Sequence, residues 1–224
     1  MLTINQTLQQ TKWIISKLIE IGLSSDQNFP YRDKNIITFS GANYYSIALR
    51  TNKSYQEIYD GLKMNRAFLI QMVDGALIQM EYEFQKHQLT RHRLAFFSSP
   101  YLEEFQNNPD VYYEDEMYAD VIQKNIVSFP IRFDFDISDD LHEPLSHPKS
   151  HLTLGQYQNC RIPVTAPLTP YHFIDFILRN FYHTAFRSKK KTFAALIPAA
   201  KGMFPESITE EERGVVHIQV PNAK

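Results

Sequence analysis

Between residues 131 and 161 the chain concentrates side chains that move protons and hold anions: Arg132, Asp134, Asp136, His142, His147, His151 and Arg161. In the run I-R-F-D-F-D-I, Ile131, Phe133, Phe135 and Ile137 alternate with Arg132, Asp134 and Asp136. A strand sends successive side chains to opposite faces, so the three charged groups share one face. His147 and His151 are four apart, which on a helix is metal-ligand spacing. Pro148 lies between them and Leu152-Thr153-Leu154 follows. That pattern places His147 in a loop and His151 at the start of a strand, with Thr153 on the same parity. If this strand neighbours 131–137, His151 faces Asp134 or Asp136. A carboxylate beside an imidazole fixes its tautomer and raises its basicity, as a general base or a supported metal ligand requires.

The expected catalytic set is therefore Asp134, Asp136, His147, His151 and Arg161. The first four are also the candidate ligands if a divalent metal is used. Arg161 is an anion clamp, because a guanidinium grips phosphate or carboxylate with two bonds. Arg132, Arg91, Arg93 and Arg179 are the candidate substrate-binding cations. Plain readings stand beside these. Arg132 and Asp134 at i, i+2 make an ordinary ion pair, and ion-pair networks produce such clusters without chemistry. Asp175 and Arg179 are an i, i+4 helix pair. Cys160 between Asn159 and Arg161 is a nucleophile or, as lone cysteines usually are, a small buried hydrophobe. No G-x-S-x-G elbow is present for a serine triad.

Composition narrows the classes. At 43% hydrophobic and 13% aromatic residues, 224 residues form a real core, and disorder of the whole chain is excluded. Seven glycines and no G-x-G-x-x-G or G-x-x-x-x-G-K-[ST] exclude a glycine-rich nucleotide loop. One cysteine forbids an internal disulfide and fits a reducing compartment. The polar N-terminus and the absence of a long apolar run give the expectation of a cytoplasmic protein without membrane contact. A net charge of −2 leaves no broad basic face for duplex DNA, so any nucleic-acid contact is local. Local clusters exist at Lys86, His87, Arg91, His92 and Arg93 and at Arg187–Lys191. They suit a single-stranded nucleic acid or RNA, or an acidic protein partner.

The elements that must position these groups are legible in part. A capping box, Thr3 with Gln6, opens a helix over 3–21 that stops at Gly22-Leu23. A short strand is expected at Ile36–Phe39. Ser54 with Glu57 opens a second helix. Asp74-Gly75 between two apolar runs signals a hairpin, and Leu89–Phe97 continues a meander. Residues 101–120 carry seven carboxylates and no Lys or Arg, and read as a solvated acidic face or a loop acting as a lid. Strands are expected at 129–137 and 151–154. Thr169-Pro170 opens an apolar helix over 170–186 with His172, Asp175, Arg179 and Tyr182 or His183 along one stripe. Glu210–Glu212 form a last helical turn, and Val215–Val220 a closing strand. The expected fold is a single α+β domain over 1–224, a curved and mostly antiparallel sheet with helices packed on one side.

The motif H-P-K-S-H-L-T-L-G-Q-Y-Q-N-C-R-I-P-V, followed by P-L-T-P-Y-H-F-I-D-F-I-L-R-N-F-Y, resembles a bacterial family known only as a domain of unknown function. The resemblance covers about 129–183, and by length the whole chain. No catalytic residue is carried over by it. A looser likeness is to small bacterial toxin-like proteins that place an R-x-D strand before a histidine-rich loop. It implies, by analogy, a toxin or phage-defence nuclease. The expected function is a nuclease-type phosphodiesterase, an RNase among the options. The alternative is a non-catalytic binding subunit or neutralising partner in a defence or toxin–antitoxin complex, working with a cognate protein encoded nearby. A third reading makes the His/Asp set a buried network that only fixes the sheet.

Overall fold

Local signals start the fold. In the computed structural model, which describes residues 2–44, 53–101, 128–157, 159–189 and 202–221, α1 (Ile4–Glu20) opens on the Thr3–Gln6 capping box. It ends in a Schellman motif: Gly22 at φ +74° donates to the Ile19 carbonyl, and Leu23 to that of Leu18. Helix α2 (Tyr55–Met64) opens on the Ser54–Glu57 box. Helix α3 (Pro170–Phe181) has Thr169 as its N-cap and proline at its first position. Two short helices, α4 (His183–Ser188) and α5 (Glu210–Arg213), follow.

Among the described residues, nine strands form one antiparallel sheet: β1 (Ser24–Gln27), β2 (Tyr31–Asp33), β3 (Ile36–Thr38), β4 (Ile70–Met72), β5 (Leu77–Gln85), β6 (Gln88–Phe97), β7 (Pro130–Asp136), β8 (Ser150–Leu154) and β9 (Ile162–Pro163). The main order is β1-β4-β5-β6-β7-β8-β9, while β2 and β3 extend the β5 edge beyond β4. The register shifts within β5/β6 and β1/β4 are bulges, which bend and twist a sheet. This is an α+β fold with a curved open sheet.

Alternation along β5, β6 and β7 sorts the two faces. Met80, Tyr82, Phe84, Leu94, Phe96, Ile131, Phe133, Phe135 and Leu152 join Ile14, Ile15 and Leu18 of α1 and Phe173, Ile174 and Ile177 of α3 in the main core. The Phe133 ring meets Phe173 and Phe176 edge-on, at 6.1 and 5.2 Å between centroids. A smaller core lies on the opposite parity at one end, where Ile58, Tyr59 and Leu62 of α2 cover Leu77, Ala95 and Phe97. The rest of that second face carries the charged side chains.

Several elements differ from the sequence expectation. Strands β1 and β2 are polar, and β2 is exposed throughout, so no apolar period betrays them. The helix expected over 170–186 breaks at Tyr182 (φ −133°, ψ 45°). There the phenol turns inward, 1% exposed, and donates to both carboxylate oxygens of Asp74 at 2.7 and 2.8 Å. Tyr182 is therefore no part of a solvent stripe. The closing strand expected at Val215–Val220 reduces to one parallel bridge, Val164↔Ile218, and Val216 is 90% exposed. Its neighbour β9 is two residues long and contains Pro163, which has no N–H to extend a ladder. Almost all of the acidic tract expected at 101–120, from Leu102 onward, lies outside the described residues, as do Lys190 and Lys191 of the basic run.

Candidate functional site

Pairing decides which charges meet. Strand β7 lies between β6 and β8, with Arg93↔Asp134 on one side and Asp134↔His151 on the other. Since Glu81↔Arg93 pairs β5 with β6, one row crosses four strands as Glu81, Arg93, Asp134, His151. A neighbouring row reads Glu83, Arg91, Asp136, and a third reads Gln79, Ala95, Arg132, Thr153. Residues opposite each other in a sheet have Cβ atoms about 4.5–5.5 Å apart, so each row is a set of direct neighbours. Of the two carboxylates that parity allows, the pairing puts Asp134 opposite His151.

His147 reaches the same place from the loop. The 3-10 turn Asp139–Leu141 and an isolated bridge in which Glu143 and His147 exchange backbone bonds fold the 138–149 connection back on itself. The His147 and His151 rings then meet edge to face, 5.4 Å between centroids. His151 is 7% exposed. Its Nδ1 lies 2.8 Å from the Pro148 carbonyl oxygen, which can only accept, so Nδ1 carries the proton and Nε2 presents a lone pair. Arg161 donates to the Ser146 carbonyl at 3.3 Å, and its charge acts on both imidazoles. Arg132 Nη1 is 3.9 Å from the Asp134 carboxylate, and both side chains keep about a quarter of their surface, 24% and 23%. Beside the buried His151, Arg132 and Asp134 thus remain partly exposed.

Electrostatics correct one expectation. Asp134 does push the His151 pKa upward, but burial outweighs it, and His147 and Arg161 pull the same way as burial. The net shift is downward, so the pull of the carboxylate offsets burial only in part. His147 is likewise lowered, by burial first and by Arg161 next, against the opposing pull of Asp136 and Asp134. Both imidazoles are therefore largely neutral near pH 7.

The expected residues divide into two groups. Asp134, Asp136, His147, His151, Arg161 and Arg132 come together. Arg91 and Arg93 lie on the same face, Arg91 bound to Glu83 at 2.7 Å. Arg179 does not join them. It sits on α3 across the sheet, bound to Asp175 at 2.7 Å and stacked over Phe186 at 4.5 Å. The helix-pair reading describes it. His92 leaves the basic cluster altogether: it lies in the main core, 1% exposed, against Tyr82 and Phe135. Its Nε2 accepts from the Leu168 N–H at 3.1 Å, and burial lowers its pKa to about 3. Asp136 spends one oxygen on the Ser138 N–H. Cys160 is half-buried in the β8–β9 connection. Among the described residues no three His, Cys, Asp or Glu side chains are grouped so as to hold a metal ion. Three of the four candidate ligands are spread along two rows of the sheet, and His147 comes from the loop.

One contributor escapes the sequence reading. Glu212, 1% exposed, closes the Thr209 capping box with one oxygen and meets His142 Nε2 with the other at 3.2 Å. It ties the loop that carries His147 to α5. The Thr-x-x-Glu spacing marks the cap, but nothing in it marks the partner 70 residues away.

The model of the family described as "Uncharacterized conserved protein (DUF2290)" matches residues 23–220. The chain belongs to the DUF2290 family. The match spans every strand of the sheet and both histidines of the cluster, so the family reading covers the whole candidate site. No curated protein and no solved structure matches the chain. No described helix is long and apolar enough to cross a membrane.

Proposed function

We propose that the polar face of the sheet is a phosphodiesterase site of the nuclease type, working by proton transfer between its side chains and the substrate. The observation that carries this reading is the pair of imidazoles 5.4 Å apart beside Asp134 and Arg161, one with its tautomer fixed by the Pro148 carbonyl. His151, neutral and with Nε2 presented, is the base. His147, on the more exposed loop, is the acid. Arg161 and Arg132 offset the charge that builds on the phosphate, and Asp134, opposite His151, offsets the charge the ring gains with its proton.

The test is turnover of single-stranded nucleic acids and of an activated aryl phosphodiester by the purified chain. His151→Gln and His147→Ala are each expected to lower the rate roughly 10²- to 10⁴-fold, the range for a positioned acid or base. Their melting temperatures are expected to stay within a few degrees of wild type. Equal loss of fold and turnover would make the cluster a structural network instead.

The binding-subunit reading also has an observation behind it. Leu141, Leu145, Val215 and Val216 are exposed, at 52, 49, 44 and 90%, on the two segments joined by the His142–Glu212 pair. Exposed apolar side chains suit a protein contact. Stoichiometric co-purification with a neighbouring gene product, without turnover on any diester, would favour that reading.

A further inference from the structure

We infer that the site acts on single-stranded RNA by transesterification, taking its nucleophile from the substrate and leaving a 2′,3′-cyclic phosphate. This rests on the phosphodiesterase reading and narrows it. The cluster presents proton carriers and guanidinium groups: two imidazoles side by side, a carboxylate in register with one of them, and Arg161 acting on both. Such a set accelerates a diester that already holds a hydroxyl next to its phosphorus. RNA is that diester, through its 2′-hydroxyl, and DNA lacks the group.

The atoms balance with the residues present. His151 Nε2 takes the proton of the 2′-hydroxyl as the O2′–P bond forms. The P–O5′ bond breaks, and the departing O5′ takes a proton from His147. The products are a 2′,3′-cyclic phosphate and a free 5′-hydroxyl. Each imidazole ends in the other's starting state, and exchange with water resets both. No oxidant, second substrate or attacking water is required.

Burial favours a flexible single strand. His151 is only 7% exposed, beside His147 of the 138–149 loop, so the reacting phosphate must approach it closely. A stiff duplex keeps its phosphates at its own radius, and a chain of net charge −2 has little general attraction for one.

The full chain is incubated with an RNA oligonucleotide, with the all-DNA equivalent, and with RNA carrying one deoxynucleotide at the position first mapped as cleaved. Each substrate is tested in chelator and again with a divalent cation. The expected result is RNA cleavage that persists in chelator, cyclic phosphate and 5′-hydroxyl ends, and loss of cutting at the deoxy position. His151→Gln purified in parallel is expected to lose at least about 10²-fold, which separates the activity from a contaminant. Cleavage of DNA at a comparable rate, or 5′-phosphate ends, would overturn the inference while leaving the phosphodiesterase reading intact. Absence of turnover on every diester, or full activity in His151→Gln, would overturn both.

Discussion

His147 and His151 are alike in sequence and unlike in setting, and the proposed chemistry depends on that difference. His151 is fixed by a backbone carbonyl and faces one carboxylate across the strand, while His147 is held only through its loop. Both pKa values lie below the ordinary imidazole value because burial disfavours the charged ring. A base must be deprotonated and an acid protonated, so the rate is expected to rise through the pKa of His151 and fall through that of His147. With both lowered, the pH–rate optimum falls on the acid side of about 6.5. The charges facing the pair are Asp134, Asp136, Arg161 and His142. Asp134→Asn removes an upward pull, so its optimum is expected to move to still lower pH. An optimum above neutrality would refute the assignment.

His92 gives a separate prediction, one of stability. Folded, it stays neutral down to about pH 3; unfolded, it protonates near its ordinary value of about 6.5. Between these values the unfolded chain binds more protons, so stability falls as pH falls, by about 1.4 kcal/mol per unit from this group. Above about 6.5 the contribution is fully present. His92→Gln keeps an acceptor for Leu168 and is expected to lose less stability between about pH 6.5 and 4, read by urea unfolding. A slope equal to wild type would assign the acid sensitivity to other groups.

At the scale of elements, two joints carry visible costs. The β5–β6 hairpin turns in two residues, Lys86 and His87, at φ +46° and +70°, with Gln85 opposite Gln88. Both central positions are left-handed, where Asn-Gly is the preferred pair. A non-glycine residue pays about 1–2 kcal/mol there. Replacing the pair by Asn-Gly is therefore expected to stabilise the fold by about 1–2 kcal/mol in denaturant unfolding, and no gain would show that these side chains make compensating contacts. The other joint is Tyr182, which breaks α3 from α4 and satisfies Asp74 at the β4–β5 turn. Burial alone already pushes the Asp74 carboxyl up, with the Tyr182 hydroxyl opposing it. Tyr182→Phe strips a buried acceptor of its donor and is expected to cost about 1–3 kcal/mol. A cost near zero would mean that water replaces the phenol.

For the whole molecule, the governing fact is a net charge of −2, with cations and carboxylates interleaved on the candidate face. Arg91 is neutralised by Glu83, and Arg132 lies within reach of Asp134. Few guanidinium groups remain to displace counterions from a nucleic acid. If Arg93, Arg132 and Arg161 make the phosphate contacts, single-strand affinity is expected to fall with a log–log salt slope of about −2. A slope several times steeper would place binding on another surface, such as the exposed Arg187 and Lys189 end of α4.

What the sequence determined by itself is whatever depends on near neighbours. Capping boxes placed the starts of α1 and α2, and a threonine N-cap followed by proline that of α3, because the bonds that end a helix are made within a few residues. Alternation sorted β5, β6 and β7 into an apolar and a charged face, because the pleat has a period of two. Those two rules were enough to put Asp134, Asp136, His147 and His151 forward as one set. They were not enough to find β1 and β2, whose polar residues earn their strand state from pairing alone. Alternation sets His92 on the face opposite Arg91 and Arg93, but that this face lies sealed in the main core is decided by packing. The opposition of Asp134 to His151, the meeting of His142 with Glu212 and the distance of Arg179 from the cluster belong to the tertiary structure. Register and packing across distant segments are settled by burying the apolar face of the whole sheet at once, and no local pattern encodes that outcome.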